Sequence, residues 1–92
     1  MIQSFADAET EEVFLTGSSR RWAGIARMAA RRLEALDFAS AIEDLASPPG
    51  NRLEKLKGDR EGWWSIRIND RYRICFRWDG KDVWEAGIVD YH

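Results

Sequence analysis

The hydrophobic period of this chain changes once, and the change falls at a single loop. Before Ser47-Pro48-Pro49-Gly50-Asn51 the apolar residues recur at helical spacing; after it they alternate. Trp22, Ile25, Ala29, Leu33 and Leu36 make one stripe of an amphipathic helix that starts near Arg21. Beyond the loop, Trp64, Ile66 and Ile68 share one face of segment 63–68. Tyr72, Ile74, Phe76 and Trp78 share one face of 71–78, and Trp84, Ala86 and Ile88 are the expected buried set of 83–89. Helices first and strands afterwards predict an α+β fold, with N-terminal helices packed on a small antiparallel sheet. At 92 residues the chain is read as one domain, 1–92.

Local signals set the element ends. Ile2–Phe5 reads as a short edge strand, and Asp7 caps a first helix that carries Glu9, Glu11 and Glu12 near its positive end and stops at Gly17. Ser40-Ala41-Ile42-Glu43 has capping-box form and opens a brief third helix to Leu45 or Ala46. Asn69-Asp70 and Asp79-Gly80 have the form of two-residue hairpin connectors.

No apolar run approaches the roughly 20 residues of a spanning helix. The N-terminus has neither the positive nor the long apolar region of a secretory signal. The single cysteine, Cys75, has no partner for an internal disulfide, which fits a reducing cytoplasm. A net charge of −2 hides an asymmetry: residues 1–50 hold five Arg against eight acids, whereas 52–77 hold eight Lys or Arg against four. A local cationic face of that kind binds phosphate despite an acidic total.

Arg71, Arg73 and Arg77 are expected on one side of a single strand, with Arg67 beside them and Lys55 before them. Like charges in register repel unless acids or phosphates sit among them. The plain reading is a solvated face balanced by Asp59, Glu61 and Glu85. The mixture with Trp63, which shares that face by parity, suits single-stranded RNA, whose bases stack while its phosphates pair. Lys57-Gly58-Asp59-Arg60 is a charged turn that places Lys57 and Arg60 near the sheet rim. Asp90, Tyr91 and His92 can each move or hold a proton, against the plain reading of a frayed tail. One imidazole without nearby cysteines makes no zinc site, and no phosphate loop or nucleophile elbow occurs, so neither metal nor cofactor is expected.

The strings Lys57-Gly58-Asp59-Arg60, Trp64-Ser65-Ile66, Arg73-Ile74-Cys75-Phe76 and Val89-Asp90-Tyr91-His92 resemble the HigB family of toxins, within the RelE/ParE superfamily of toxin–antitoxin systems. The resemblance implies a RelE-like, microbial-RNase-like fold and a HigA-like helix-turn-helix antitoxin, with operator DNA reached only through that antitoxin. It also implies cleavage of mRNA at the ribosomal A site, in the cytoplasm and away from membranes. On this basis Lys57 and Arg73 would face the scissile phosphate, and Asp90, Tyr91 and His92 would form the polar end of the site. Some family members carry His where this chain has Glu54, so Glu54 or His92 would take the proton-transfer role. The chemistry would be metal-free attack by the ribose 2′-hydroxyl, giving a 2′,3′-cyclic phosphate. The competing expectation is a ParE-like toxin that blocks DNA gyrase by binding alone, since one scaffold hosts both activities. A third is a degenerate member that keeps only antitoxin and operator binding.

Overall fold

The computed structural model describes residues 1–58 and 61–90. Two helices, α1 (Ala8–Thr16) and α2 (Ala26–Phe38), precede two short 3-10 turns (Ile42–Ala46 and Pro49–Asn51). Four strands follow: β1 (Glu54–Lys55), β2 (Trp63–Arg67), β3 (Tyr72–Trp78) and β4 (Val83–Asp90). The strands form one antiparallel sheet in chain order, as expected of a meander.

The caps follow their chemistry. The Asp7 carboxylate accepts from the Thr10 N–H at 2.7 Å, and Gly17, at φ +75°, ends α1 in the left-handed region that a side chain would oppose. α2 begins at Ala26, not at Arg21. Residues 20–25 form turns instead: the Ser19 hydroxyl accepts from Trp22 N–H at 3.2 Å, the Trp22 carbonyl accepts from Ile25 N–H, and Gly24 lowers helix propensity within the segment. The third helix is a 3-10 turn. Its N-terminal amides, Ser40 and Ala41, are capped by the Asp44 carboxylate, one residue later than the expected Glu43.

The core is the apolar sheet face covered by the helices. Ile66, Ile74 and Ile88 stand opposite one another across three strands, with Phe76 and Ala86 beside them and Val13, Ala29, Leu33, Leu36 and Leu45 above. Each is buried, at roughly 1.5–3 kcal/mol for a large aliphatic or aromatic side chain.

Three edge expectations change. Ile2–Phe5 makes only two isolated parallel bridges, to Val83 and Ala86, so it borders β4 without becoming a regular strand. The connector after β3 spans Asp79 to Asp82: one oxygen of the Asp79 carboxylate accepts from Lys81 and Asp82 N–H (2.9 and 2.7 Å), which favours this wider turn over a two-residue one. Most consequentially, Trp84 is not in the core. Arg77 pairs with Trp84 and Cys75 with Gly87, so β4 carries one extra residue at a bulge where Glu85 has φ +55°. The bulge buries Val83 and Ala86 and puts Trp84 on the face opposite the core, half exposed.

Candidate active site

Of the cations singled out in the sequence, the second sheet face holds Arg67, Arg73 and Arg77. Antiparallel register assembles it as three cross-strand rows: Trp63–Arg77–Trp84, then Glu54–Ser65–Cys75–Gly87, then Arg67–Arg73–Val89. Lys55 pairs with Trp64 on the other face, its ammonium 5.9 Å from the Trp64 ring, and so leaves this set.

Arg73 is not part of a solvated row, as alternation suggested; it is only 9% exposed. Its Nε donates to the Ser65 hydroxyl at 2.8 Å, and one Nη donates to the Arg52 carbonyl at 2.6 Å and the Ser65 carbonyl at 3.3 Å. A buried guanidinium is costly unless such acceptors satisfy it. They also fix its plane, because the fork of donors matches only one arrangement.

The Arg52 carbonyl reaches Arg73 because Arg52 has φ +45°, a conformation uncommon outside glycine and stored where the surroundings enforce it. Those surroundings are the turn before it. Buried Asn51 donates from its side chain to the Leu45 and Ser47 carbonyls (3.1 and 3.3 Å), clamping the chain that delivers Arg52. Together Arg52, Arg67, Asn69, Asp70 and Arg73 line a polar cavity of about 300 Å³. Arg67 is anchored through its backbone, whose carbonyl accepts from Arg32 Nε at 3.0 Å, and its guanidinium pairs with the Asp70 carboxylate. Arg52, Asn69 and Asp70 had no place among the expected site residues.

The remaining expectations divide. Glu54 shares the site face, one row from Arg73 and opposite the Ser65 that Arg73 holds. Arg71 leaves the row: its Nε and Nη2 donate to the Asp90 carboxylate at 3.1 and 2.8 Å, and its guanidinium lies 5.1 Å from the Tyr72 ring. Asp90 stands opposite Tyr72 on the core side, with Arg71 on its carboxylate, while that hydrogen bond holds the Arg71 guanidinium charged above its usual range. Lys57 is exposed in the segment after β1, beyond the Trp63–Arg77 row. That row lies four residues, roughly 13 Å at strand rise, from Arg67–Arg73, and Lys57 does not line the cavity. Arg60, Tyr91 and His92 lie outside the described residues, as does Asp59.

At the far end of the face, Arg77 stands between Trp63 and Trp84, 5.5 Å from the Trp84 ring, with Glu85 at 3.6 Å from its Nε. This cation between indoles is suited to stacking. Alternation alone predicts Trp84 in the core, because only a bulge turns it outward and Glu85 carries no mark of one. Among the described residues no group of three His, Cys, Asp or Glu could hold a metal ion, and no helix is long and apolar enough to cross a membrane.

Comparison with known proteins adds an independent observation. A family model described as the RelE-like toxin of type II toxin–antitoxin system HigB matches residues 3–92. The chain is 56% identical over 48 residues to Toxin HigB-1 of Vibrio cholerae, covering 52% of this chain and 50% of that protein. It is 41% identical over 61 residues to Endoribonuclease HigB of Proteus vulgaris, covering 66% and 65%. The chain thus spans between half and two-thirds of the length of these relatives. Among solved structures, a YoeB/ParE toxin from Agrobacterium tumefaciens aligns with 26% identity and a TM-score of 0.41, over 75% of this chain and 78% of that one.

Proposed function

The chain belongs to the HigB family of RelE-like toxins of type II toxin–antitoxin systems, and from that premise we propose that it is an mRNA endonuclease acting on the ribosome, in the cytoplasm, and neutralised by a HigA-like antitoxin. One observation carries the reading: buried Arg73, locked by Ser65 and the Arg52 carbonyl, beneath a cavity also lined by the cations Arg52 and Arg67. The name of the Proteus relative, an endoribonuclease, supports the same choice.

The reaction is attack of a ribose 2′-hydroxyl on the adjacent phosphorus with loss of the 5′ oxygen, leaving a 2′,3′-cyclic phosphate and a 5′-hydroxyl. Charge grows on the phosphorane oxygens. A guanidinium held in place before the reaction stabilises that charge without reorganising, often the largest single contribution to catalysis. Glu54, on the same face, is the proposed acceptor of the 2′-hydroxyl proton, and His92 the proposed donor to the leaving oxygen. Asp90, held by Arg71, and Tyr91 would assist the same proton transfers. Lys57, exposed in the segment after β1, would meet the RNA beyond the scissile phosphate; Arg67 and Arg77 would attract RNA from the site face, and Lys55, Arg60 and Arg71 through their charge alone. Trp63 and Trp84 offer stacking surfaces for bases. The ribosome supplies alignment that a site with few proton shuttles lacks.

Primer extension on an mRNA, translated and untranslated, tests the reading. Cuts phased with codons in the translated message alone, and lost in Arg73→Ala, are expected. Intact RNA together with blocked supercoiling by gyrase would overturn it.

A further inference from the structure

Three arginines around one cavity repel each other, and among its described lining residues Asp70 is the single acid. Asp70 sits at the tip of the β2–β3 hairpin with a side chain 98% exposed, yet its carboxylate closes on Arg67 Nη2. The hairpin backbone is fixed independently: the Asn69 side-chain oxygen accepts from Arg71 and Tyr72 N–H (2.9 and 2.8 Å), and the Tyr72 carbonyl accepts from Ile68 and Asn69 N–H. Asp70 can therefore leave Arg67 by side-chain rotation, with the turn intact.

We propose that the Arg52–Arg67–Arg73 cavity is a binding site for a phosphodiester of single-stranded RNA, and that Asp70 is its resident counter-ion, displaced when the phosphate enters. The proposal rests on the nuclease reading for the identity of the ligand. Carboxylate and phosphate share the geometry that pairs with a guanidinium, so one can stand in for the other. The competition is one-sided. An exposed Arg–carboxylate pair holds weakly, whereas a phosphate in the cavity meets Arg52 and the fixed charge of Arg73 as well. Among the described residues Arg52 enters no ion pair, and its strained backbone has already placed it on the cavity wall. The consequence is selectivity: weak anions are held off by Asp70, and a polyanion that engages several cations at once is admitted.

The test measures binding of two probes, inorganic phosphate and a short 2′-O-methyl RNA that cannot be cut, to the full chain. Asp70→Asn is expected to tighten the RNA about 2- to 5-fold at low salt, the scale of an exposed pair. Arg52→Gly, which suits the positive φ while removing the cation, is expected to weaken it and to flatten its salt dependence. Asp70→Asn in an Arg67→Ala background should give no gain, and Glu11→Gln on α1 should change nothing. An unaltered RNA affinity in Asp70→Asn overturns the proposal, as does a gain that survives Arg67→Ala or appears equally in Glu11→Gln. Tightening for phosphate with none for RNA overturns the RNA as ligand. If the wild type leaves translated mRNA intact, the nuclease reading fails instead, whatever Asp70 does.

Discussion

Arg73 and Ser65 form the smallest unit on which the site depends. The Ser65 hydroxyl is wholly buried and accepts from Arg73 Nε, so Ser65→Ala leaves one guanidinium donor without its partner. That substitution should cost about 1–3 kcal/mol of stability, read by denaturant unfolding, and reduce cleavage while Arg73 is still present. Arg73→Lys keeps the charge but cannot serve the Ser65 hydroxyl and the Arg52 carbonyl with one fork, so it should recover little activity. A second prediction concerns Asp79. Hydrogen bonds from Asp82 N–H, Trp84 Nε1–H and Lys81 N–H lower its carboxyl from 3.8 to about 2. The folded state then prefers the ionised form: the stabilisation is complete above about pH 4 and is lost as pH falls through 2. A carboxyl titration followed by NMR should give a midpoint near 2, and Asp79→Asn should remove that part of the acid dependence.

Among the elements, the bulge in β4 has the widest effect. Glu85 holds a positive φ that glycine adopts without strain, so Glu85→Gly should preserve the bulge and raise stability by roughly 1 kcal/mol, less the weak Arg77 pair. A fall in melting temperature would show that the ion pair outweighs the backbone. Trp84→Ala should weaken RNA binding without loosening the core, because Trp84 lies on the site face, whereas Phe76→Ala should cost about 3–5 kcal/mol. The same element shows what was readable beforehand. The alternation of Trp64–Ile68 and Tyr72–Trp78 settles β2 and β3, since burial on one face leaves a single register open. It fails at Trp84, because one extra residue inverts parity and Glu85 lacks the glycine that would flag it. Arg71, Arg73 and Arg77 were found by pattern, but their fates were not. Arg73 is buried by a carbonyl from Arg52, some twenty positions earlier, and Arg71 is drawn off by Asp90; both are long-range contacts that spacing along the chain does not encode.

Taken as a whole, the molecule separates its charge. The site face is cationic about Arg52, Arg67 and Arg73, while Arg20, Arg21, Arg27 and Arg31 are exposed in and before α2 and enter no ion pair among the described residues. An antitoxin that covers this second set would present acids. Its complex should weaken as ionic strength rises, and more steeply for the wild type than for Arg27→Ala with Arg31→Ala; insensitivity to salt would exclude a charge-led interface. The central claim is that Arg73 in its cavity drives RNA cleavage. The measurement closest to it is the single-turnover rate of cutting a ribosome-bound message by the wild type and by Arg73→Ala, each confirmed folded by thermal unfolding. A loss of 10²-fold or more is predicted, the scale on which one fixed electrostatic contact acts. A folded Arg73→Ala protein that cuts at the wild-type rate would contradict it.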